Sequence, residues 1–407
     1  MPDYDLYVGI DWATQQHQVC LVDPTGRRRE ERHIAHSGAA LREFVDYLVS
    51  LVRAPARVAV AIEVPRGAIV DALLERGCQV FALNPKQLDR FRDRHTVAGA
   101  KDDRRDAFVL GDALRTDRLA FRRLEVEDPE VIQLREMSRL HAELVEEHGR
   151  LANRLREQLW RFYPQALTHC PAANEPWLWE LLQHAPTPAQ GQRLTRSGLG
   201  ALLARHRIRR VTADELLAAL RTPALPVAPG AAEAAGEHIA MLLPRLALVH
   251  EQRRHCEGRL DALLAATAAA GDHREHRDVT ILRSLPGVGR VVAATMLAEA
   301  SRPLAARDYQ TLRAHAGVAP VTRQSGKTRQ VLMRRSCNPR LRAAVFHWAR
   351  NSIRVDARSR GHYQALRLRH GHARALRGVA DRLLGVLIAM LTAGALYDPA
   401  RRAGLAA

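Results

Sequence analysis

The sequence is poor in cysteine and aromatic residues, and it has no apolar run long enough to cross a membrane. Its five cysteines are scattered along 407 residues without zinc-ligand spacing or a disulfide framework, at Cys20, Cys78, Cys170, Cys256 and Cys337. The most apolar late stretch, Leu383–Leu391, is far shorter than the roughly 20 residues of a membrane-spanning helix. No apolar signal segment precedes the first predicted strand. We therefore expect a cytoplasmic protein without a membrane partner.

Lysine is also rare, although the chain is strongly basic. Only Lys86, Lys101 and Lys327 are lysines among 62 basic residues, which exceed the 44 acidic residues by 18. Such a preference for arginine is typical of a coding bias, and it weakens an argument from net charge alone. The distribution of acids is better evidence, because the segment 322–407 has eighteen Lys and Arg but only three Asp. A surface of this kind attracts phosphates, so the segment predicts contact with nucleic acid.

The first 125 residues predict a mixed α/β domain. Apolar, β-branched runs predict strands, and amphipathic stretches between them predict helices. Two strands are expected within 5–23 and others at 27–34, 57–62 and 79–83, with helices at 38–52, 68–76, 86–94 and 102–115. The order β-β-β-α-β-α-β-α is typical of a mixed sheet with helices on its faces.

Two long helices predict coiled-coil arms in the region 126–277. Apolar residues recur at three-, four- and seven-residue steps through 129–163, and a second apolar stripe runs through 236–268. Pro244 should kink the second helix. The proline-containing segment 165–235 between the arms is expected to be a small helical insertion. The pattern fits dimerisation through the arms and packing within one chain equally well.

Four acidic residues of the first domain are candidates for a metal site. Asp11 and Glu63 each end a strand that we expect to be buried, where a carboxylate is costly unless a positive charge compensates it. Asp103 and Asp106 share a face of a predicted helix, but so do Asp102 and Asp106, and spacing leaves the choice open. Converging carboxylates repel one another unless a hard cation such as Mg²⁺ or Mn²⁺ neutralises them. Such ions can activate a nucleophile and stabilise the leaving oxygen of a phosphodiester.

The last domain, 278–407, is expected to be mostly helical and to begin with a helix-hairpin-helix. In the segment 282–299 an apolar helix end, the turn Pro286–Gly289 and a second apolar helix follow one another. Gly287 and Gly289 let the backbone approach a phosphate, and the N-terminus of the next helix favours an anion. A plain helix turn is the alternative, but the basic surroundings favour contact with a nucleic-acid backbone.

A polar loop with Ser325 and Gly326 follows in an arginine-rich setting. The basic side chains expected to bind nucleic acid here are Lys327, Arg334, Arg335, Arg340 and Arg342. A serine can act as a nucleophile when a base or metal activates it, but no His or Asp lies nearby in the sequence. A Ser-Gly pair is also typical of a turn. The Arg- and His-rich stretch His362–Arg382 fits stacking on unpaired bases and capping of the apolar run equally well.

The motifs of the first domain resemble those of the insertion sequence 110 transposase family, which includes the Piv/MooV DNA invertases. The resemblance rests on residues 9–14 (GIDWAT), on Glu63 at its strand end and on residues 101–107 (KDDRRDA). The family has Lys-Thr-Asp-x-x-Asp-Ala at the last of these positions. The resemblance implies an RNase H-like (RuvC-like) fold, and it assigns the DEDD metal site to Asp11, Glu63, Asp103 and Asp106.

The last domain resembles the second conserved domain of the same family. The matching residues are Gly317, Pro320, Ser325, Gly326, Asn338, Leu341 and Arg342. The resemblance implies that Ser325 attacks DNA and forms a phosphoserine link, with the carboxylate site of one protomer joined to the serine of another. Members described in detail are guided by a structured RNA from the element's own end. The implied partners are therefore element and target DNA, a guide RNA and further copies of the chain, at the bacterial nucleoid.

Three other functions compete with a transposase that cuts and rejoins DNA. A Holliday-junction nuclease needs the four carboxylates but not Ser325. A non-catalytic nucleic-acid-binding protein would need neither, although all five residues are present. A sugar-kinase-like ATPase shares the opening GIDWAT, but the second Gly-rich phosphate loop and the adenosine site of that fold are missing from 165–400.

Overall fold

The chain folds into two compact units, Met1–Asp128 and Pro129–Ala407. The computed structural model describes residues 4–92, 94, 102–228, 230–269, 274–326 and 328–399. The first unit is a mixed α/β domain, and the second is mostly helical. Both fold classes agree with the sequence predictions.

A six-stranded mixed sheet forms the centre of the first unit. Its strands are β1 (Leu6–Asp11), β2 (Gln16–Val22), β3 (Arg28–Ala35), β4 (Val58–Ile62), β5 (Gln79–Ala82) and β6 (Arg122–Arg123). They lie in the order β3-β2-β1-β4-β5-β6. The strands β1, β4 and β5 are parallel to one another, whereas β2, β3 and β6 run antiparallel to their neighbours. The two-residue strand β6 was not predicted, because so short a segment has no periodicity.

Four helices cover the two faces of this sheet, as the predicted order of strands and helices implied. They are α1 (Gly38–Ser50), α2 (Ala68–Glu75), α3 (Pro85–Arg92) and α4 (Asp103–Asp117). Side chains alternate along a strand, so Leu6, Val8 and Ile10 pack with α1 and α2. Tyr7 on the opposite face packs with α3 and α4.

The second unit begins with two long helices that pack antiparallel to each other. They are α5 (Pro129–Phe162) and α10 (Ala231–Ala269), and Pro244 lies inside the second. The Thr267 hydroxyl donates to Glu130 over 3.2 Å, and His141 pairs with Glu257 over 3.3 Å. The predicted arms therefore pack along each other within one chain. Between them lie the short helices α6 (Pro176–His184), α7 (Pro188–Gly191), α8 (Arg196–Arg205) and α9 (Ala213–Leu220).

A cluster of two imidazoles, one buried and one half-buried, lies between the two arms and α6. The ring centroids of His148 and His250 are 5.8 Å apart, and the Trp179 ring lies within 5.6 Å of His148 and 5.4 Å of His250. His148 Nε2 and His250 Nδ1 have no hydrogen-bond partner among the described residues. Burial, with smaller contributions from the charge of Arg253 and from His250, lowers the pKa of His148 to about 4. The cluster is therefore neutral at pH 7.

The burial of His148 predicts a loss of stability in mild acid. The folded pKa lies below the ordinary value of 6.5, so the unfolded chain takes up a proton first as the pH falls. We expect the free energy of unfolding to fall by on the order of 3 kcal/mol between pH 7 and pH 4 through this residue. His148→Phe should remove this part of the loss, as measured by urea unfolding followed by tryptophan fluorescence. The exposed His255→Phe is the control, and equal pH dependence in both variants would contradict the prediction.

The C-terminal part of the second unit is a helical layer with one β-hairpin. Its helices are α11 (Arg274–Ser284), α12 (Arg290–Glu299), α13 (Ser301–Ala305), α14 (Tyr309–His315), α15 (Pro339–Val355), α16 (Ala357–Arg367) and α17 (His372–Ala393). The hairpin consists of β7 (Val321–Ser325) and β8 (Thr328–Leu332). A loop was expected around Ser325, so the two strands correct that expectation. In the described part of the chain, no helix is long and apolar enough to span a membrane.

Candidate active site

The carboxyl ends of β1 and β4 place Asp11 and Glu63 next to each other. The two strands are parallel neighbours with Ile10 opposite Ile62, so the following residue on each strand reaches the same edge of the sheet. Strand alternation assigns both residues to the face of Gly9, which α4 covers. Both are half-buried.

The helix α4 lies directly on β1 because Gly9 has no side chain. A Cβ added at Gly9 would stand 1.8 Å from the Ala107 carbonyl oxygen and 2.6 Å from the Gly111 nitrogen. Strand and helix can come this close only where the strand residue is glycine. The approach brings the first turn of α4, with Asp106 next to Ala107, towards the carboxyl end of β1.

The first turn of α4 distinguishes the three neighbouring aspartates. Asp102 precedes the helix in extended conformation, and its side chain accepts a hydrogen bond from the Arg104 N–H over 3.2 Å. Its carboxylate therefore serves as the helix cap. Asp103 is the first helical residue and is exposed, whereas Asp106, one turn later, is only 2% exposed. This arrangement favours Asp103 over Asp102 as the partner of Asp106.

Arg92, the last residue of α3, balances the charge of the buried Asp106. Its Nε lies 2.5 Å from Asp106 Oδ1 and its Nη2 lies 2.6 Å from Oδ2, which makes a bidentate ion pair. Its Nη1 also donates to Asp89 over 2.5 Å. Burial by itself would lower the pKa of Arg92. The hydrogen bonds and negative charge of Asp106, with smaller effects from the charges of Asp89 and Glu63, are stronger and raise the pKa above its ordinary value. The guanidinium thus supplies a positive charge among these carboxylates.

A buried amide oxygen stands opposite Asp11. Gln18 on β2 pairs with Asp11 across the sheet and is 4% exposed. Its Oε1 has no hydrogen-bond partner among the residues that the structure describes. Sequence reasoning missed both Gln18 and Arg92. Gln18 could have been found, because it alternates with Cys20 on the second strand of the predicted hairpin and so lies on the same face. Nothing in the sequence near Arg92 indicates its partner.

The oxygen atoms at this edge of the sheet suit a hard divalent cation. Carboxylate and amide oxygens are the ligands that Mg²⁺ and Mn²⁺ prefer, and the buried oxygen of Gln18 has no hydrogen-bond partner among the described residues. In the described residues, however, no group of three or more His, Cys, Asp or Glu side chains is assembled to hold a metal. The carboxylate of Asp106 is bound to Arg92 instead. The residues fit the ion by the chemistry of their oxygen atoms, and the ion pair with Arg92 occupies one of these carboxylates.

Ser325 lies in the second unit at the end of an exposed hairpin. It is the last residue of β7, opposite Thr328, and Gly326 turns the chain with a φ of +54°. All ten residues of the two strands are exposed. Among the described residues, no His, Asp or Glu side chain hydrogen-bonds to Ser325. The Ser325 residue is thus accessible to solvent.

The residues that match the family motif hold the base of this hairpin. Gly317 has a φ of +67°, and a Cβ on it would lie 2.8 Å from Cys337 Sγ and 3.2 Å from Arg342 Cδ. Asn338 caps α15 by accepting hydrogen bonds from two backbone N–H groups, and Leu341 is fully buried. The backbone N–H of Asn338 donates to the His315 carbonyl over 2.9 Å. These residues are structural supports of the hairpin that carries Ser325.

A buried ion pair joins this hairpin base to the first arm. The Asn338 amide donates to Glu299 over 2.7 Å, and Arg139 on α5 donates to the same carboxylate over 2.9 Å. Burial raises the pKa of Glu299, but the hydrogen bonds from Arg139 and Asn338 outweigh it and hold the pKa below its usual value. The helices α5, α12 and α15 are thereby linked at one point.

The other predicted nucleic-acid contacts differ in their surroundings. A Cβ on Gly287, which has a φ of +81°, would lie 2.6 Å from the backbone nitrogen of Ser352, so this glycine serves close packing against α15. A Cβ on Gly289, at the start of α12, would meet open space. Arg335 and Arg340 are exposed, Arg334 donates to the Ala319 carbonyl over 3.3 Å, and Arg342 is half-buried. Lys327 lies outside the described residues.

Comparison with known proteins follows the two halves of the chain. A model of the DEDD transposases of IS110, described as "Transposase", matches residues 8–164. A second model, "Transposase IS116/IS110/IS902 family", matches residues 279–364. The first segment contains the four candidate carboxylates, and the second contains the hairpin with Ser325.

Individual relatives agree with these two models, one over about half of the chain and two over nearly all of it. The putative transposase y4uE of Sinorhizobium fredii is 49% identical over 209 residues, which are 51% of this chain and 58% of that relative. The mini-circle putative transposase for IS117 of Streptomyces coelicolor is 33% identical over 97% of this chain and 96% of its own length. The insertion element IS110 uncharacterized 43.6 kDa protein, from the same organism, is 29% identical over 99% and 98%.

These matches identify the class of the protein as a transposase. Carboxylates at the strand ends of a mixed α/β domain, followed by a helical domain with an exposed serine, are consistent with that class. The chain belongs to the IS110 family of transposases.

Proposed function

We propose that this transposase cuts and rejoins DNA at element ends and target, using a divalent metal at the carboxylate site and Ser325 as nucleophile. The observation that carries the proposal is the contact of Gly9 with Ala107, which brings α4 and its acids to the strand ends of Asp11 and Glu63. The strand order, with β4 and β5 parallel to β1 beyond the antiparallel β1–β3, supports the RNase H-like fold that the family resemblance implies.

Asp11, Glu63, Asp103 and Asp106 would hold the metal, which we take to be Mg²⁺ or Mn²⁺. When bound, such an ion stabilises the negative charge that develops on phosphate oxygens. The chain itself fixes the ligands: β1 and β4 hold two at one edge, and the close approach at Gly9 holds the first turn of α4 beside them. Asp102 keeps that turn helical as its cap.

Ser325 would carry the covalent step. Its Oγ attacks a phosphorus of the DNA backbone, a P–O bond to deoxyribose breaks, and the deoxyribose oxygen leaves as a hydroxyl that takes the serine proton. A free hydroxyl of another strand end then attacks the phosphoserine, the serine hydroxyl leaves, and the DNA is rejoined. The phosphoserine bond conserves the energy of the broken phosphodiester, so no other energy source is needed. The exposure of the hairpin supports this role, because a DNA backbone can reach the hydroxyl.

The charge of the last domain supports DNA and a guide RNA as partners. Exposed arginines on and around α16 and α17 are Arg354, Arg358, Arg360, Arg367, Arg369, Arg374 and Arg382. They can contact phosphates or stack on unpaired bases. The resemblance to the family supports a homo-oligomer in which the carboxylate site of one protomer is joined to the serine of another.

A covalent adduct tests the serine chemistry directly. The full chain, with Mg²⁺ and its co-purifying RNA, is incubated with element-junction DNA and separated under denaturing conditions. We expect a protein–DNA adduct that disappears in Ser325→Ala while DNA binding is retained. Thr328→Ala, which removes the hydroxyl opposite Ser325 on the same hairpin, is the matched control and should keep the adduct.

The other outcomes separate the competing functions. DNA cleavage that persists unchanged in Ser325→Ala would show a nuclease of the Holliday-junction type rather than a serine recombinase. Binding without cleavage in the unmodified protein, at any Mg²⁺ or Mn²⁺ concentration, would favour a non-catalytic role. Cleavage that persists in Asp11→Asn would overturn the metal site.

A further inference from the structure

The ion pair of Arg92 with Asp106 stands where the proposed metal would bind. Arg92 ends α3, and Leu88 of the same helix is buried in the core on this face of the sheet. Both oxygens of Asp106 are hydrogen-bonded to the same guanidinium. The side chain of Asp106 is 3% exposed and that of Arg92 is 21% exposed, so water screens the pair only weakly.

The buried carboxylate of Asp106 requires a cation beside it, which can be either a side chain or a metal ion. A buried carboxylate without a partner is strongly destabilising, because its lost hydration is not replaced. Arg92 supplies the missing charge, and the nearby carboxylates of Asp89 and Glu63 favour its position further. A divalent ion bound to Asp106 would supply the same charge, and the two cations would compete for the same oxygens.

We propose that Arg92 is an internal counter-ion of Asp106, which keeps the metal site closed until a divalent cation displaces it. The inference rests on the proposed metal-dependent function. It makes Arg92 a positioning residue that sets the affinity for the metal and stabilises the metal-free fold. Metal binding and opening of the Arg92–Asp106 pair are then one coupled event.

Mn²⁺ binding to the full chain tests this inference without any DNA. Free Mn²⁺ is measured by electron paramagnetic resonance during titration of the unmodified protein, Arg92→Gln and Arg92→Lys. We expect Arg92→Gln to bind Mn²⁺ about tenfold more tightly or better, since a charge-assisted pair no longer competes. Arg92→Lys, which cannot form two parallel hydrogen bonds, should lie between the two.

Thermal unfolding is the second measurement, and Arg94→Gln is the matched control. Arg94 lies two residues further on, is exposed and pairs with Asp117 over 3.1 Å, so its loss removes the same charge from a different partner. With a chelator present, Arg92→Gln should melt at a lower temperature than the unmodified protein. Saturating Mn²⁺ should raise its melting temperature more than that of the unmodified protein or Arg94→Gln.

The outcomes distinguish this inference from the function on which it rests. Equal Mn²⁺ affinity in the unmodified protein and Arg92→Gln, lost in Asp106→Asn, would overturn the counter-ion and leave the metal site intact. Mn²⁺ binding that Asp106→Asn and Asp11→Asn leave unchanged would overturn the metal site and the counter-ion together. If Arg92→Gln does not fold, Arg92→Lys decides, and affinity equal to that of the unmodified protein overturns the counter-ion.

Discussion

Asp103→Asn is expected to lower Mg²⁺-dependent DNA cleavage at least about a hundredfold, whereas Asp102→Asn leaves it within a few-fold. Loss of one anionic ligand weakens the stabilisation of the transition state by a few kcal/mol, and each 1.4 kcal/mol is about tenfold in rate. Asp102, by contrast, caps α4 by accepting the N–H of Arg104. Asparagine caps a helix as well as aspartate does, so the helix begins at the same residue in the variant.

The pair of variants is informative because the two residues are neighbours with the same charge. Both substitutions remove one negative charge from the same turn, so long-range electrostatic effects on DNA binding are matched. Cleavage of labelled junction DNA is measured in single turnover with protein in excess, alongside helix content by circular dichroism. Equal losses in both variants would contradict the assignment, and a larger loss in Asp102→Asn would exchange the two roles.

The arrangement of the first domain could be predicted because its signals are local. Apolar, β-branched runs identify β1, β4 and β5 within a few residues, and Glu63 is recognisable as the acid that ends a buried strand. Spacing alone did not distinguish Asp102 from Asp103. The capping geometry makes this distinction. Asp102 is extended and its side chain is bound to the N-terminus of the helix, so it does not share a helical face with Asp106.

The contacts between distant segments could not be predicted. Arg92 pairs with Asp106, which lies fourteen residues further along the chain, beyond the link between α3 and α4. No periodic pattern in the sequence indicates which carboxylate the long arginine side chain contacts. The hairpin around Ser325 was missed for a different reason. Its strands are exposed on both faces, so they lack the apolar alternation by which strands are recognised in a sequence.

Gly287 and Gly289 of the predicted helix-hairpin-helix turn differ in their surroundings. A helix-hairpin-helix turn predicts a glycine that admits a phosphate, yet Gly287 packs against α15, where Ser352 and Trp348 both donate to the Pro286 carbonyl. Gly289 has open space beside it and begins α12. Of the two glycines, Gly289 is the one whose surroundings suit an approaching anion.

Gly9→Ala is expected to destabilise the first unit by about 3 kcal/mol or more, because its methyl group has no room. The Cβ would stand 1.8 Å from a backbone oxygen of α4, so no side-chain rotation can relieve the overlap, and the whole helix must shift. Asp106 lies in the same helix, directly before Ala107, and would shift with it. The substitution should therefore weaken Asp106-dependent Mn²⁺ binding as well as stability.

Hydrogen exchange measured by mass spectrometry reports the loss of stability in Gly9→Ala separately for the two units. Peptides from β1, β2 and α4 should exchange faster in Gly9→Ala, while peptides from α5 and α10 keep the rates of the unmodified protein. Gly38→Ala is the matched control, because it adds the same methyl group in the same unit at a helical position with nothing within 4 Å. Unchanged exchange in β1 and α4 of Gly9→Ala would mean that α4 does not lie against β1. The close approach that brings the acidic turn to the strand ends would then be wrong, and the carboxylate site with it.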